Sequence, residues 1–221
     1  MRDFARPAVL MKAAIAALVG TLACLPRLSQ CPPENGDRIP LAFMLGWCVF
    51  VMWGFVFAWS EPHLRCRPFP IQREPLFWLQ ITASAIMLGL LLSVSLDAEY
   101  RRLFPTEDVR TPGEWIAALL FNLSLQQLFL CFAPLAFFAR LGAGPHAALG
   151  LTVALSLSVL TMKADRSLLE PSAFAIVGWV VARGGIAAGS VLIYRHGGVP
   201  AVWWFALVLQ CRHLPRVLGW E

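Results

Sequence analysis

Charge is what this chain has least of. Asp, Glu, Lys and Arg make up 14% of its 221 residues, against about 25% in soluble globular domains, which excludes a water-solvated domain. Tyrosine is almost missing too, with two residues against nine Trp and fifteen Phe. The six cysteines form no C-x-x-C pair, which removes the zinc-ribbon and thioredoxin-type motifs. No P-loop, dinucleotide fingerprint or Ser–His–Asp arrangement occurs in a suitable setting. The alternating ten-residue segments of an outer-membrane barrel are absent, and no internal repeat points to the inverted halves of a transporter. The net charge of +5 comes from Arg scattered through short loops, which reads as interfacial anchoring and gives no nucleic-acid footprint.

What is present is apolar length. Hydrophobic residues make up 58% of the chain, and a span of about 20 of them crosses a bilayer core. The pattern predicts an all-α, polytopic transmembrane bundle of about seven helices, within a range of six to eight, forming a single domain over 1–221. The expected spans are 7–25, 39–59, 76–96, 114–139, 146–162, 173–194 and 199–214. Arg2, Arg6 and Lys12 before the run AAIAALVGTLACL resemble a secretory signal; a retained first transmembrane helix with a cytoplasmic N-terminus is the expectation. Cys24 and Cys31 bracket the first loop and are the pair able to meet in an oxidising compartment, with free thiols as the default.

Polar residues inside spans carry most of the information. The stretch EWIAALLFNLSLQQLFLCFAPLAFFAR from Glu114 holds Asn122, Ser124, Gln126 and Gln127. On an α-helix Asn122 and Gln126 share a face, with Gln127 about 100° away. Pro134 removes a backbone donor beyond them. Such a stripe suits either a helix lining an intramembrane site or one tied to its neighbours by amide hydrogen bonds. Arg183 lies near the centre of the sixth span, where a charge costs about 2.5–3.5 kcal/mol on insertion scales and calls for a partner. Candidate partners are Asp165, Glu170 and the amide oxygens of Gln126 and Gln127. The same helix has small residues at four-residue spacing, Gly178 with Ala182 and Gly185 with Gly189, which predict close helix packing. His63, His146, His196 and His213 fall in loops or near helix ends. They make no metal cluster; His146, His196 or His213 is the candidate axial ligand if the chain carries haem or a chlorophyll-type pigment.

The second half of the chain has a further order. Gln126-Gln127-Leu-Phe-Leu-Cys131 is followed by Val159-Leu-Thr-Met-Lys163, then by GSVLIYRHGG from Gly189 to Gly198, and then by Ala206-Leu-Val-Leu-Gln210. This resembles the CPBP family of intramembrane proteases, the CAAX-prenyl endopeptidase and bacteriocin-processing group also called Abi, over about 114–214. In that family one helix carries Glu-Glu-x-x-x-Arg and the next Phe-x-x-x-His. A late helix carries His four residues before Asn or Asp, often after a turn similar to Tyr-Arg-x-Gly. Here the glutamates are Gln126 and Gln127, the arginine is Cys131, the histidines are Lys163 and Ala206, and Gln210 closes the last motif. A neutral amide neither takes nor gives a proton near pH 7, so the resemblance implies a pseudoenzyme with no metal. The expected role is an accessory, scaffold or assembly subunit among other integral membrane subunits and lipids, in a bacterial-type inner (cytoplasmic) membrane. The alternatives are an active intramembrane peptidase with an unrecognised site, or a pigment-binding subunit of an electron-transfer or photosynthetic complex.

Overall fold

Backbone amides placed in hydrocarbon must be paired within their own segment, so apolar runs of this length fold as helices. The computed structural model describes residues 4–30, 38–70, 74–104, 109–164 and 172–220, and these are helical with no strand among them. The first three helices are α1 (Pro7–Gln30), α2 (Arg38–Leu64) and α3 (Pro75–Ser95), followed by the short α4 (Asp97–Leu103). A long rod then runs from α5 (Pro112–Phe121) to α6 (Ala133–Arg140). After it come α7 (Pro145–Ala164), α8 (Ala173–Gln210) and the terminal turn α9 (Leu214–Val217). Among the described residues five stretches are long and apolar enough to cross a membrane, Pro7–Gln30, Ile39–Leu64, Pro75–Ser95, Pro112–Arg140 and Ala173–Val217, with a shorter apolar helix over Pro145–Val159. The chain is a multi-pass helical membrane protein. Its outer faces agree: Leu18, Phe43, Val94 and Val177 are widely exposed, as lipid-facing side chains are in a bilayer.

The expected spans 173–194 and 199–214 are joined through α8, which ends at Gln210 and is broken at Gly198, whose φ of 67° and ψ of −164° are not helical. Contacts with α3 show what the break does. Leu96 touches Gly178 and Phe77 touches Gly197; the same 19-residue interval, about 29 Å of helix, separates each pair along its own helix. Beyond Gly198 the order along α3 reverses. The Trp204 indole donates to Thr82 Oγ1 at 2.9 Å, Leu209 lies beside Gly89, and the Arg212 guanidinium donates to Asp97 at 3.1 Å. α8 is therefore a hairpin, with a first arm up to Gly197 and a second arm returning from Val199 to the level at which the first began.

The apex of the hairpin is held by the α2–α3 connection. Val199 N–H donates to Pro68 O at 2.8 Å, and a Cβ on Gly198 would lie 2.5 Å from that carbonyl and from Pro70. Backbone in this region is open essentially to glycine alone, so the sequence Gly197-Gly198-Val199-Pro200 can turn here where another residue could not. The core has two lobes that share α8. One gathers Ala17, Val49, Trp53, Leu128, Phe132 and Tyr194; the other gathers Ile81, Leu92, Leu96, Trp179 and Phe205.

The stretch 97–113, between the expected spans 76–96 and 114–139, opens with helix α4, in which Leu103 is buried and after which Phe104 packs its ring against Trp179. Leu96 lies against Gly178, whereas Gly185 and Gly189 have nothing among the described residues within 4 Å of where a Cβ would sit. That pair meets no other helix among the described residues. Cys24 is a buried free thiol; Cys31, its expected partner, lies outside the described residues.

Candidate functional site

The rod from α5 to α6 starts on a capping box, with Thr111 Oγ1 accepting from Glu114 N–H and the Glu114 carboxylate accepting from Thr111 N–H. Its middle is not α-helical. Asn122–Gln126 and Leu128–Phe132 form two consecutive π-helical turns, in which Gln127 N–H bonds Asn122 O and Ala133 N–H bonds Leu128 O. Pro134 supplies a cause for the second turn: it lacks the N–H that would bond Leu130, and its ring pushes that carbonyl away. π-turns are rare single-turn insertions, frequent at functional sites.

The wider turn changes which amides meet. Residues five apart line up, so Gln127 Nε2 donates to Asn122 Oδ1 at 3.1 Å. This corrects the expected Asn122–Gln126 face, which assumed α-helical spacing. Gln126 is left to face a cavity of about 20 Å³ lined by Gln126, Gln127, Leu130 and Cys131 from the π-turns, Ser156 from α7, and Arg183, Ile186, Ala187 and Ser190 from the first arm of α8. The four α8 residues lie at positions i, i+3, i+4 and i+7 and so share one face. Arg183, Gln126 and Gln127 are half-buried, and Ser156 and Ser190 are buried. Trp203, on the second arm, fixes the outer side of the first π-turn by donating to Leu123 O at 2.8 Å.

The sequence expectations divide at this point. Gln126, Gln127, Cys131 and Arg183 come together at one cavity. Ala206 and Gln210 do not reach it: Ala206 is buried on the second arm, and the Gln210 carbonyl accepts from the Trp115 indole at 3.1 Å. The reversal at Gly198 explains this, because these positions fall on the second arm, whereas the cavity is lined by the first. The side chain of Lys163, and Asp165 and Glu170 as partners of Arg183, lie outside the described residues. His63, His146 and His196 are exposed, with His196 Nδ1 2.8 Å from Leu192 O. His213 is half-buried in the 3₁₀ turn that ends α8. None of the four lines the cavity, and no group of three or more His, Cys, Asp or Glu able to hold a metal exists among the described residues.

Two cavity residues were missed in the sequence, Ser156 and Ser190. Ser190 is seven residues past Arg183, two helical turns along the same face, a spacing that could have singled it out. A second buried polar group lies one turn further on. The Tyr194 hydroxyl and Ser60 Oγ share a hydrogen bond of 2.8 Å, the Cys66 thiol donates to Tyr194 O at 3.0 Å, and the Tyr194 ring stacks on Phe132. The hydroxyl, carbonyl and ring of Tyr194 are each engaged within the chain, as in a structural group. Comparison with protein-family models, curated proteins and solved structures finds no match to this chain.

Proposed function

We propose that this chain is a non-catalytic, CPBP-like accessory subunit that assembles with other integral membrane subunits, in a bacterial-type cytoplasmic membrane. The observation that carries the reading is the outward face of α8 around Gly185 and Gly189. These glycines have nothing within 4 Å of a would-be Cβ, and small residues at this spacing let a second helix backbone approach closely in a bilayer. Gly185 lies about 200° around the helix from Arg183, on the face opposite the cavity, so a docked helix would leave the polar site intact. Support for a non-catalytic role comes from the chemistry of the cavity lining, in which amides, hydroxyls, a thiol and a guanidinium stand where proton transfer would need a carboxylate or an imidazole.

The test is purification in mild detergent followed by mass photometry and identification of subunits. A defined complex with another integral membrane chain is expected, and it dissociates in the Gly185→Leu/Gly189→Leu variant while the monomer stays folded. A clean monomer from native membranes overturns the reading.

A further inference from the structure

We propose that the cavity between the π-turns, α7 and the first arm of α8 is a binding site for one small monovalent anion, held by Arg183 and Ser190. Arg183 is ten residues into α8, about 15 Å from its start and near the middle of the hydrocarbon. A cation at that depth requires compensation, and no carboxylate is paired with it among the described residues.

The second observation is independent of Arg183. Helical hydroxyls in this chain commonly turn back to the carbonyl four residues earlier: Thr82, Ser84, Ser95, Thr152 and Ser158 all do so at 2.6–3.0 Å. Ser190, only 2% exposed, has no hydrogen-bond partner although the same option is open to it, and it lines the cavity. Thr21 Oγ1, Trp59 Nε1 and Trp179 Nε1 are also buried without partners, but none of them lines this space. The lining therefore offers a guanidinium, an unspent hydroxyl and glutamine N–H groups, with no acid or histidine among the described residues. That donor-rich set selects an acceptor carrying negative charge. The volume, about 20 Å³, is that of one water-sized occupant. A halide or the end of a single carboxylate fits it. Half-exposed Gln126, Gln127 and Arg183 leave one side open for entry.

The nine Trp make intrinsic-fluorescence melting a direct readout on the purified full chain. Chloride is titrated at constant ionic strength against a bulky sulfonate such as MES, which presents no carboxylate end, and in a second arm laurate is titrated as a lipid-chain carboxylate. The expected result is a midpoint that rises and saturates with chloride, with laurate, or with both; the arm that saturates at lower concentration identifies the source. In Ser190→Ala the half-saturating concentration rises about tenfold, the loss of one hydrogen bond to a charge. Arg183→Gln abolishes the response and Arg183→Lys retains part of it. If Arg183→Gln does not fold, Ser190→Ala carries the test alone. A wild-type midpoint indifferent to both anions overturns the proposal, since it means that water fills the cavity or that the chain already neutralises Arg183. A Ser190→Ala response equal to that of the wild type overturns it as well. The measurement needs no partner subunit, so its failure is separate from failure of the assembly reading.

Discussion

Ser190 and Tyr194 are one helical turn apart on the same arm of α8, and both are buried hydroxyl side chains. Around Tyr194 each group has found a partner: the hydroxyl pairs with Ser60, the carbonyl with Cys66 and the ring with Phe132. The apex turn at Gly198 then closes on Pro68. Around Ser190 the packing opens into a cavity, the hydroxyl is unspent, and a cation faces the same space. A buried polar group that is fully bonded specifies a fold, whereas one left unbonded costs stability and is retained where a ligand can use it. The apex is the structural half of the arm and the mid-span the half available for binding.

Substitutions can break or sharpen that contrast. The largest effect is expected at the apex. Gly198→Ala forces a Cβ against the Pro68 carbonyl at a positive φ and should cost about 3 kcal/mol, read as a lower melting midpoint and poor insertion of the second arm. Next, Tyr194→Phe leaves Ser60 buried without its partner, at a cost of about 1–3 kcal/mol. Arg212→Ala removes the partly buried bridge from Asp97 to the foot of the second arm. Because both groups keep some solvent contact, about 1–2 kcal/mol is expected, with Asp97→Asn/Arg212→Ala less destabilised than either single change. Thr111→Ala, which removes the cap of α5, should cost about 1 kcal/mol. Ser190→Ala comes last: without a small anion its midpoint should match or slightly exceed the wild type, because it deletes an unbonded hydroxyl. A destabilisation of Ser190→Ala as large as that of Tyr194→Phe would erase the distinction between the two halves.

Some of this could be read along the chain and some could not. The divide between 173–194 and 199–214 was visible in His196-Gly197-Gly198-Val199-Pro200, since glycine and proline punctuate helices. That the two pieces fold back against α3 was not, because it depends on Pro68 and Phe77, more than a hundred residues earlier. Gln126, Gln127 and Arg183 stood out as polar residues in apolar spans. Their meeting with Ser156 and Ser190 depends on three helices converging, and serines attract no notice in a membrane helix. The Asn122–Gln127 bond was hidden for a local reason, because a 3.6-residue period cannot foresee a π-turn. Gly185 and Gly189 show the limit of a motif: the spacing licenses close packing, and only the fold shows that no helix among the described residues supplies it.

The sequence by itself determined the class, an all-helical membrane protein, because low charge and long apolar runs leave the backbone no other way to pair its amides in hydrocarbon. It also determined that the helix after Glu114 carries amides in its apolar interior. The tertiary structure alone decided which polar groups share a space, where α8 reverses and which glycines remain open. Those outcomes depend on contacts between segments distant in the chain, and hydrophobicity, being non-directional, does not encode them position by position.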